Sequence, residues 1–265
     1  LNAASVNSVV FHRILDFKTG LNFHSGPFFM PGPVIRLFSY FRGMQDQTTS
    51  GWETRFINYH KDNTHTKDGS HDLAHFQRVW KTAQYIDQKE GGIADPLILL
   101  TAAYFHDLVS LPKNSPERSV SSRLSAERTV LLLKDVFTDF PPEKIEGVRH
   151  AIHAHSFSAQ VAPLTSEAKI LQDADRMEAL GAIGLARVFY TAGQLSQQLF
   201  DAEDPLALGR EPNDSQYSLD HFQVKLFKLP GLMNTATGKR LAEEKVGYMR
   251  QYLRMIEDEI LGRWS

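Results

Sequence analysis

The chain has 265 residues and a formal net charge of −2, with 42% hydrophobic and 23% charged residues and no cysteine. This is an ordinary balance for a globular protein, and the length allows one large domain with a well-buried core. The lack of cysteine excludes disulfides, thiolate zinc sites and cysteine nucleophiles, so any metal must be held by His, Asp, Glu and water. The near-neutral charge speaks against a broad nucleic-acid-binding surface, and no run of about 18 apolar residues provides a membrane span. A cytoplasmic protein without a membrane partner is expected.

Residues 1–43 show no helical or strand period and carry Gly20, Gly26, Pro27, Pro31, Gly32 and Pro33. Arg13, Asp16 and Lys18 interrupt their apolar patches, which argues against a secretory signal. The expectation is a leader outside the fold, with Met44 as the natural start and 44–265 as one helical domain. Its chemical signature falls at about 71–190, and its C-terminal helices at 216–262.

From Trp52 to Tyr59, the apolar residues Trp52, Phe56, Ile57 and Tyr59 are spaced as in a helix. A polar run then leads to Ser70, a candidate cap for the next helix, HDLAHFQRVWKTAQYIDQKE. That helix puts His71, His75 and Arg78 near one face, and Val79, Ala83 and Ile86 on a face suited to burial. A His pair four apart can chelate a metal, but taken alone it is more often surface.

After Gly91, Gly92 and Pro96, the stretch from Leu97 to Phe105 is apolar almost all round, which predicts a central helix. It ends on His106-Asp107. A carboxylate at that depth is costly unless it is paired or ligates a cation. A loop with Lys113 and Arg118 leads to a helix starting with serine caps and carrying Arg123. The following helix opens with prolines and closes with His150, His153 and His155. Helical geometry separates those three histidines, so they cannot all ligate one ion, and His155 is the preferred pocket candidate.

In SEAKILQDADRMEALGAIGLARVF, the residues Ile170, Leu171, Ala174 and Met177 form a buried face, and Asp175 is expected to be the acid embedded among them. Gly181 and Gly184 permit a bend or close packing. Leu199 to Tyr217 reads as a surface loop with solvated acids. Helix then returns with His221 and Lys225 four apart, and a long amphipathic helix closes the chain, with Leu241, Val246, Met249, Leu253, Ile256 and Ile260 as a core or oligomer stripe. No repeat, phosphate-binding glycine loop or nucleophile elbow is present.

The ordered set of His75 with Arg78-Val79, His106-Asp107 and Ala174-Asp175-Arg176 resembles the H…HD…D signature of the HD superfamily of metal-dependent phosphohydrolases. HDLVSLPKNSPERS, AIHAHSFSAQVAPLT, EAKILQDADRMEALGAIGLARVF and YSLDHFQVKLFKLP are similar to the bacterial subgroup typified by the YedJ protein, from about Trp52 to the C-terminus. The resemblance implies an all-α HD-type helical bundle around one divalent ion. It assigns His75, His106, Asp107 and Asp175 as ligands, a shell that suits Mn²⁺, Mg²⁺, Fe²⁺, Co²⁺ or Ni²⁺.

The same resemblance implies catalytic roles for Lys113 and Arg78 on the phosphoryl oxygens, and for His155 as a donor to phosphate or leaving oxygen. Arg123, Arg176, Lys225 and His71 are implied substrate contacts. The positions after Asp107 read Leu108-Val109-Ser110-Leu111 and lack the acidic pair of stringent-response hydrolases, which speaks against guanosine tetraphosphate. No GYP-type segment accompanies the extra histidines, which favours one metal over two. The expected activity is hydrolysis of a nucleotide or similar small phosphorylated metabolite by a monomer or homodimer. The rivals are a nucleotide-sensing module without turnover and, further behind, a nuclease.

Overall fold

The computed structural model describes residues 49–63, 72–111 and 118–264. The leader 1–43, Ser70, His71 and Lys113 lie outside the described residues. Helix α1 (49–63) lays Trp52 and Phe56 against Phe137, and Phe56 meets Phe105 edge to face with ring centroids 4.9 Å apart. Helix α2 (Leu73–Lys89) is capped by Asp72, whose carboxylate accepts from the His75 amide at 2.9 Å. An acceptor is needed there because the first-turn N–H groups have no partner within the helix. Gly91 and Gly92 turn the chain with φ of 98° and 70°, a left-handed backbone that glycine adopts without strain.

Helix α3 (Pro96–Phe105) starts on Asp95, which accepts from the amides of Leu97 and Ile98, and Pro96 fills a position where no N–H is required. Its residues from Leu97 to Phe105 are buried apart from the half-buried Ile98. It packs against α2, α5 (Ile145–His155) and α6 (Ser166–Met177), so the helix that ends on His106 is central, as its all-round apolar character predicts.

Helix α4 (Ser121–Asp135) departs from expectation at its start, because Val120 is its N-cap and makes no side-chain cap bond. The serines instead hold the loop that follows Asp107. Ser121 and Ser125 donate their hydroxyls to the Val109 carbonyl at 2.7 and 3.1 Å, and the Val109 amide donates to Ser125.

Helix α6 breaks after Met177, and α7 (Gly181–Gln194) begins at a corner where Gly181 has φ of 70°. A Cβ on Gly184 would stand 2.3 Å from the Ala179 carbonyl oxygen, so close packing of this corner requires glycine. The following acidic segment is a surface loop, as expected, and several acids in and just after it organise it. Asp204 accepts from the amides of Leu208 and Gly209, Asp201 from the Tyr217 hydroxyl, and buried Asp220 pairs with Arg210 at 2.5 Å.

Helix α8 (Asp220–Val224) is short and gives way to a 3₁₀ stretch, Leu226–Leu232, containing Pro230. His221 pairs with Asp214. Helix α9 (Ala236–Ile260) buries Ala242, Val246 and Met249 against Met177, Leu180, Phe222 and Leu226, while Ile260, the last residue of the predicted stripe, is exposed.

The described residues form one unit, an all-α bundle with a larger core around α3 and a second core under α9. The described residues contain no strand beyond an isolated bridge between Gln198 and Tyr217, and no helix long and apolar enough to cross a membrane.

Candidate metal centre

His75 lies in the first turn of α2, His106 immediately after α3, and His155 at the last position of α5. Each ring has its Nδ1 engaged. His106 Nδ1 donates to the Ala103 carbonyl at 2.9 Å, and His155 Nδ1 to the Ile152 carbonyl at 2.6 Å. Both acceptors lie three residues back, where the last turn of a helix leaves carbonyls without an amide partner. His75 Nδ1 stands 3.2 Å from the Glu178 carboxylate. A neutral imidazole that donates through Nδ1 carries its lone pair on Nε2.

The Nε2 atoms converge. Those of His75 and His106 are 3.1 Å apart, and Asp175 Oδ1 is 3.7 and 3.6 Å from them. Asp107 bridges the other side, with one oxygen 3.7 Å from His106 Nε2 and the other 3.5 Å from His155 Nε2. Two lone pairs aimed at each other across 3.1 Å repel unless a positive charge lies between them. Donors about 2.1 Å from one ion sit about 3.0 Å apart along an octahedral edge and about 3.4 Å apart in a tetrahedron. The donor set therefore fits a divalent cation in chemistry and spacing, as two overlapping triads: His75, His106 and Asp175, and His106, Asp107 and His155.

The electrostatics make the same demand. Burial opposes charging of His106, but Asp107 and Asp175 outweigh it and raise its pKa to about 9. Burial pushes His75 the other way, below the ordinary imidazole value, against the pull of Glu178. Burial likewise works against ionisation of Asp175, yet the bond to His106 holds its carboxyl far below the usual range. The cluster thus keeps the Asp175 carboxylate charged and calls for a cation beside it, whether a proton or a metal.

The HD domain family profile matches residues 72–180, which contain all five of these side chains. YpgQ of Bacillus subtilis (strain 168) is 36% identical over 200 residues, a span covering 74% of this chain and 87% of YpgQ. The chain belongs to the HD-domain family. Within it, the chain groups with YpgQ-like HD-superfamily hydrolases. The crystal structure of B. subtilis YpgQ in complex with ADP matches with a TM-score of 0.57 and 30% identity, over 81% of this chain and 96% of that one. An HD-superfamily hydrolase from Bacillus thuringiensis matches with a TM-score of 0.60 and 32% identity, over 80% and 97%.

In this HD domain, the arginines expected at the phosphate have partners within the protein. Arg78, beside the cluster, donates from Nε and Nη2 to Glu178 at 2.9 and 2.7 Å. Arg123 pairs with Glu127 at 2.8 Å on an exposed face, and Arg176 donates to the Leu232 carbonyl. Lys225 is exposed at the end of α8. His150 accepts from the Leu164 amide, a loop-fastening role.

One expectation is corrected. The fully buried aspartate of this helix is Asp173, whereas the Asp175 side chain is 29% exposed. Asp173 needs no cation, because it accepts from the amides of Asn234 and Thr235, the Asn234 side chain and the Thr235 hydroxyl.

Sequence reasoning did not single out Glu178. The available signal was a matched offset, since Arg78 follows His75 by three and Glu178 follows Asp175 by three, which puts each beside a cluster residue one turn along.

Proposed function

We propose that this chain is a metal-dependent phosphohydrolase, cleaving a phosphoester or phosphoanhydride bond of a nucleotide or similar small phosphorylated metabolite. The observation that carries this reading is the convergence of the His75 and His106 Nε2 atoms, 3.1 Å apart, with carboxylates of Asp107 and Asp175 beside them. These four residues would hold one divalent ion, from the group Mn²⁺, Mg²⁺, Fe²⁺, Co²⁺ and Ni²⁺. When bound there, such an ion supplies an acidified water and a polarised phosphoryl oxygen.

His155 keeps Nδ1 on the Ile152 carbonyl and Nε2 near Asp107, so Nε2 is the atom that would hold or deliver a proton at the leaving oxygen. Arg78 lies at the edge of the cluster, where its guanidinium would meet phosphate oxygens. Lys113 is assigned the same task, with Arg123, Arg176, Lys225 and His71 as further substrate contacts. Nucleotide chemistry is supported by the relative YpgQ, whose crystal structure is a complex with ADP.

The test is a panel of nucleotides and phosphorylated metabolites, incubated with Mn²⁺-reconstituted protein and scored for phosphate and pyrophosphate. Binding is measured by calorimetry on the same sample. Turnover that disappears in Asp107→Ala is expected. Tight nucleotide binding with no product released would leave a sensing module in its place.

A further inference from the structure

The buried carboxylate of Glu178 touches the cluster from behind. Its Oε2 stands 3.2 Å from His75 Nδ1, accepts from Arg78 at 2.7 and 2.9 Å, and lies 3.9 Å from Arg187. Glu178 follows α6, while His75 and Arg78 belong to α2 and Arg187 to α7, so the contact joins three helices at the corner fixed by Gly181. We infer that Glu178 is a positioning residue, which fixes His75 as the Nδ1–H tautomer so that Nε2 faces the ion and which holds Arg78 at the substrate side. The inference rests on the proposed function, because it assumes an ion at the cluster.

Two observations support it. Glu178 Oε2 accepts from the Arg78 guanidinium at 2.9 and 2.7 Å, so the oxygen facing His75 is an acceptor. An acceptor oxygen at 3.2 Å from a ring nitrogen requires a proton on that nitrogen. The opposing contact is longer: Arg187 Nη1 lies 3.4 Å from the same Nδ1, and a guanidinium can only donate. If Arg187 prevailed, Nδ1 would be the acceptor and the proton would sit on Nε2, blocking it as a ligand. The anion at shorter range selects the ligating tautomer. Carboxylates behind metal-bound imidazoles act this way in general, orienting the ring and raising its basicity.

The Arg78 contact gives Glu178 a second task. Removing Glu178 would release Arg78 from its position beside His75.

The experiment is a Co²⁺ titration of the full chain, followed by the visible absorption of the bound ion, together with ¹⁵N-histidine correlation spectra of protein loaded with diamagnetic Zn²⁺. Glu178→Gln is expected to weaken Co²⁺ about 10- to 100-fold, with partial recovery in Glu178→Asp. Arg78→Gln, which leaves the carboxylate on His75, is expected to keep Co²⁺ affinity within about threefold of wild type. The wild-type spectra need no variant to fold and should show His75 protonated at Nδ1. Protonation at Nε2, or equal Co²⁺ affinity in a folded Glu178→Gln, would overturn the role of Glu178 alone. Failure of wild-type protein to bind Co²⁺ more tightly than His106→Ala would instead overturn the proposed function.

Discussion

Asp173 and Asp175 lie two positions apart on α6, so their side chains leave the axis about 160° apart. Asp173 faces the start of α9 and receives four N–H and O–H donors from Asn234 and Thr235, whereas Asp175 faces His75 and His106. Replacing Asp173 with Asn turns an acceptor against those donors in a sealed site and is expected to cost about 2–3 kcal/mol in urea unfolding, with metal affinity kept. Asp175→Asn should do the reverse, lowering metal affinity at least about tenfold while metal-free stability changes by less than about 1 kcal/mol; exchanged outcomes would give the ligand role to Asp173. His60 offers a separate test by pH. Burial lowers its pKa to about 4, although its Nε2 donates to the Tyr104 carbonyl at 2.8 Å. Between pH 6.5 and about 4 the unfolded chain binds a proton that the folded chain refuses, so stability is lost as pH falls through that window, by about 3 kcal/mol in total. His60→Gln keeps a donor and does not titrate, and its unfolding free energy should fall less steeply with acid than that of wild type. Identical slopes would show that His60 charges freely in the fold.

At the scale of helices, the step from α3 into Val109 and the corner from α6 into α7 set the geometry of the centre. Ser121 and Ser125 hold the first through the Val109 carbonyl, and Gly184 allows the second by leaving room for the Ala179 carbonyl. Gly184→Ala puts a methyl group against backbone, and we expect about 2 kcal/mol of destabilisation and a Tm lower by about 4–8 °C. Because Glu178 belongs to that corner, metal affinity should fall with it; an unchanged Tm would mean that α7 slides at little cost. These features divide what is legible in sequence from what is not. α3 was readable because a helix buried on every side must be apolar on every side, and its exit on His106-Asp107 followed from where the apolar run stopped. His75, His106, Asp107 and Asp175 were readable only as an ordered set, since helical spacing relates residues within one helix and says nothing of which helices meet. The serines of α4 misled because a serine at a helix start has two outlets, its own helix or a neighbouring loop, and local sequence does not choose between them. Asp175 was expected to be the buried acid because periodicity places a residue on a face but does not reveal that Asn234 and Thr235 seal the other one. Glu178 was hidden for the same reason: its partner His75 lies 103 residues away.

Across the whole molecule, the cluster draws its side chains from α2, from the end of α3, from α5 and from α6, elements that meet only when the larger core is assembled. In the unfolded chain, His75 and His106 are separated by 31 positions and do not form one site. An ion held at the centre therefore binds the folded state almost alone, and its binding free energy becomes folding stability. At a free concentration of about 100 times its dissociation constant, the gain is about 2.7 kcal/mol. For a domain of this size that corresponds to a rise in Tm of about 5–10 °C. Mn²⁺ should give this shift with wild-type protein, and EDTA should reverse it. His106→Ala removes the nitrogen shared by both triads and should melt at one temperature with or without Mn²⁺. Asp173→Asn should melt lower than wild type yet keep the full Mn²⁺ increment, which separates loss of fold from loss of ligand. An increment of the same size in His106→Ala would locate the ion away from the end of α3.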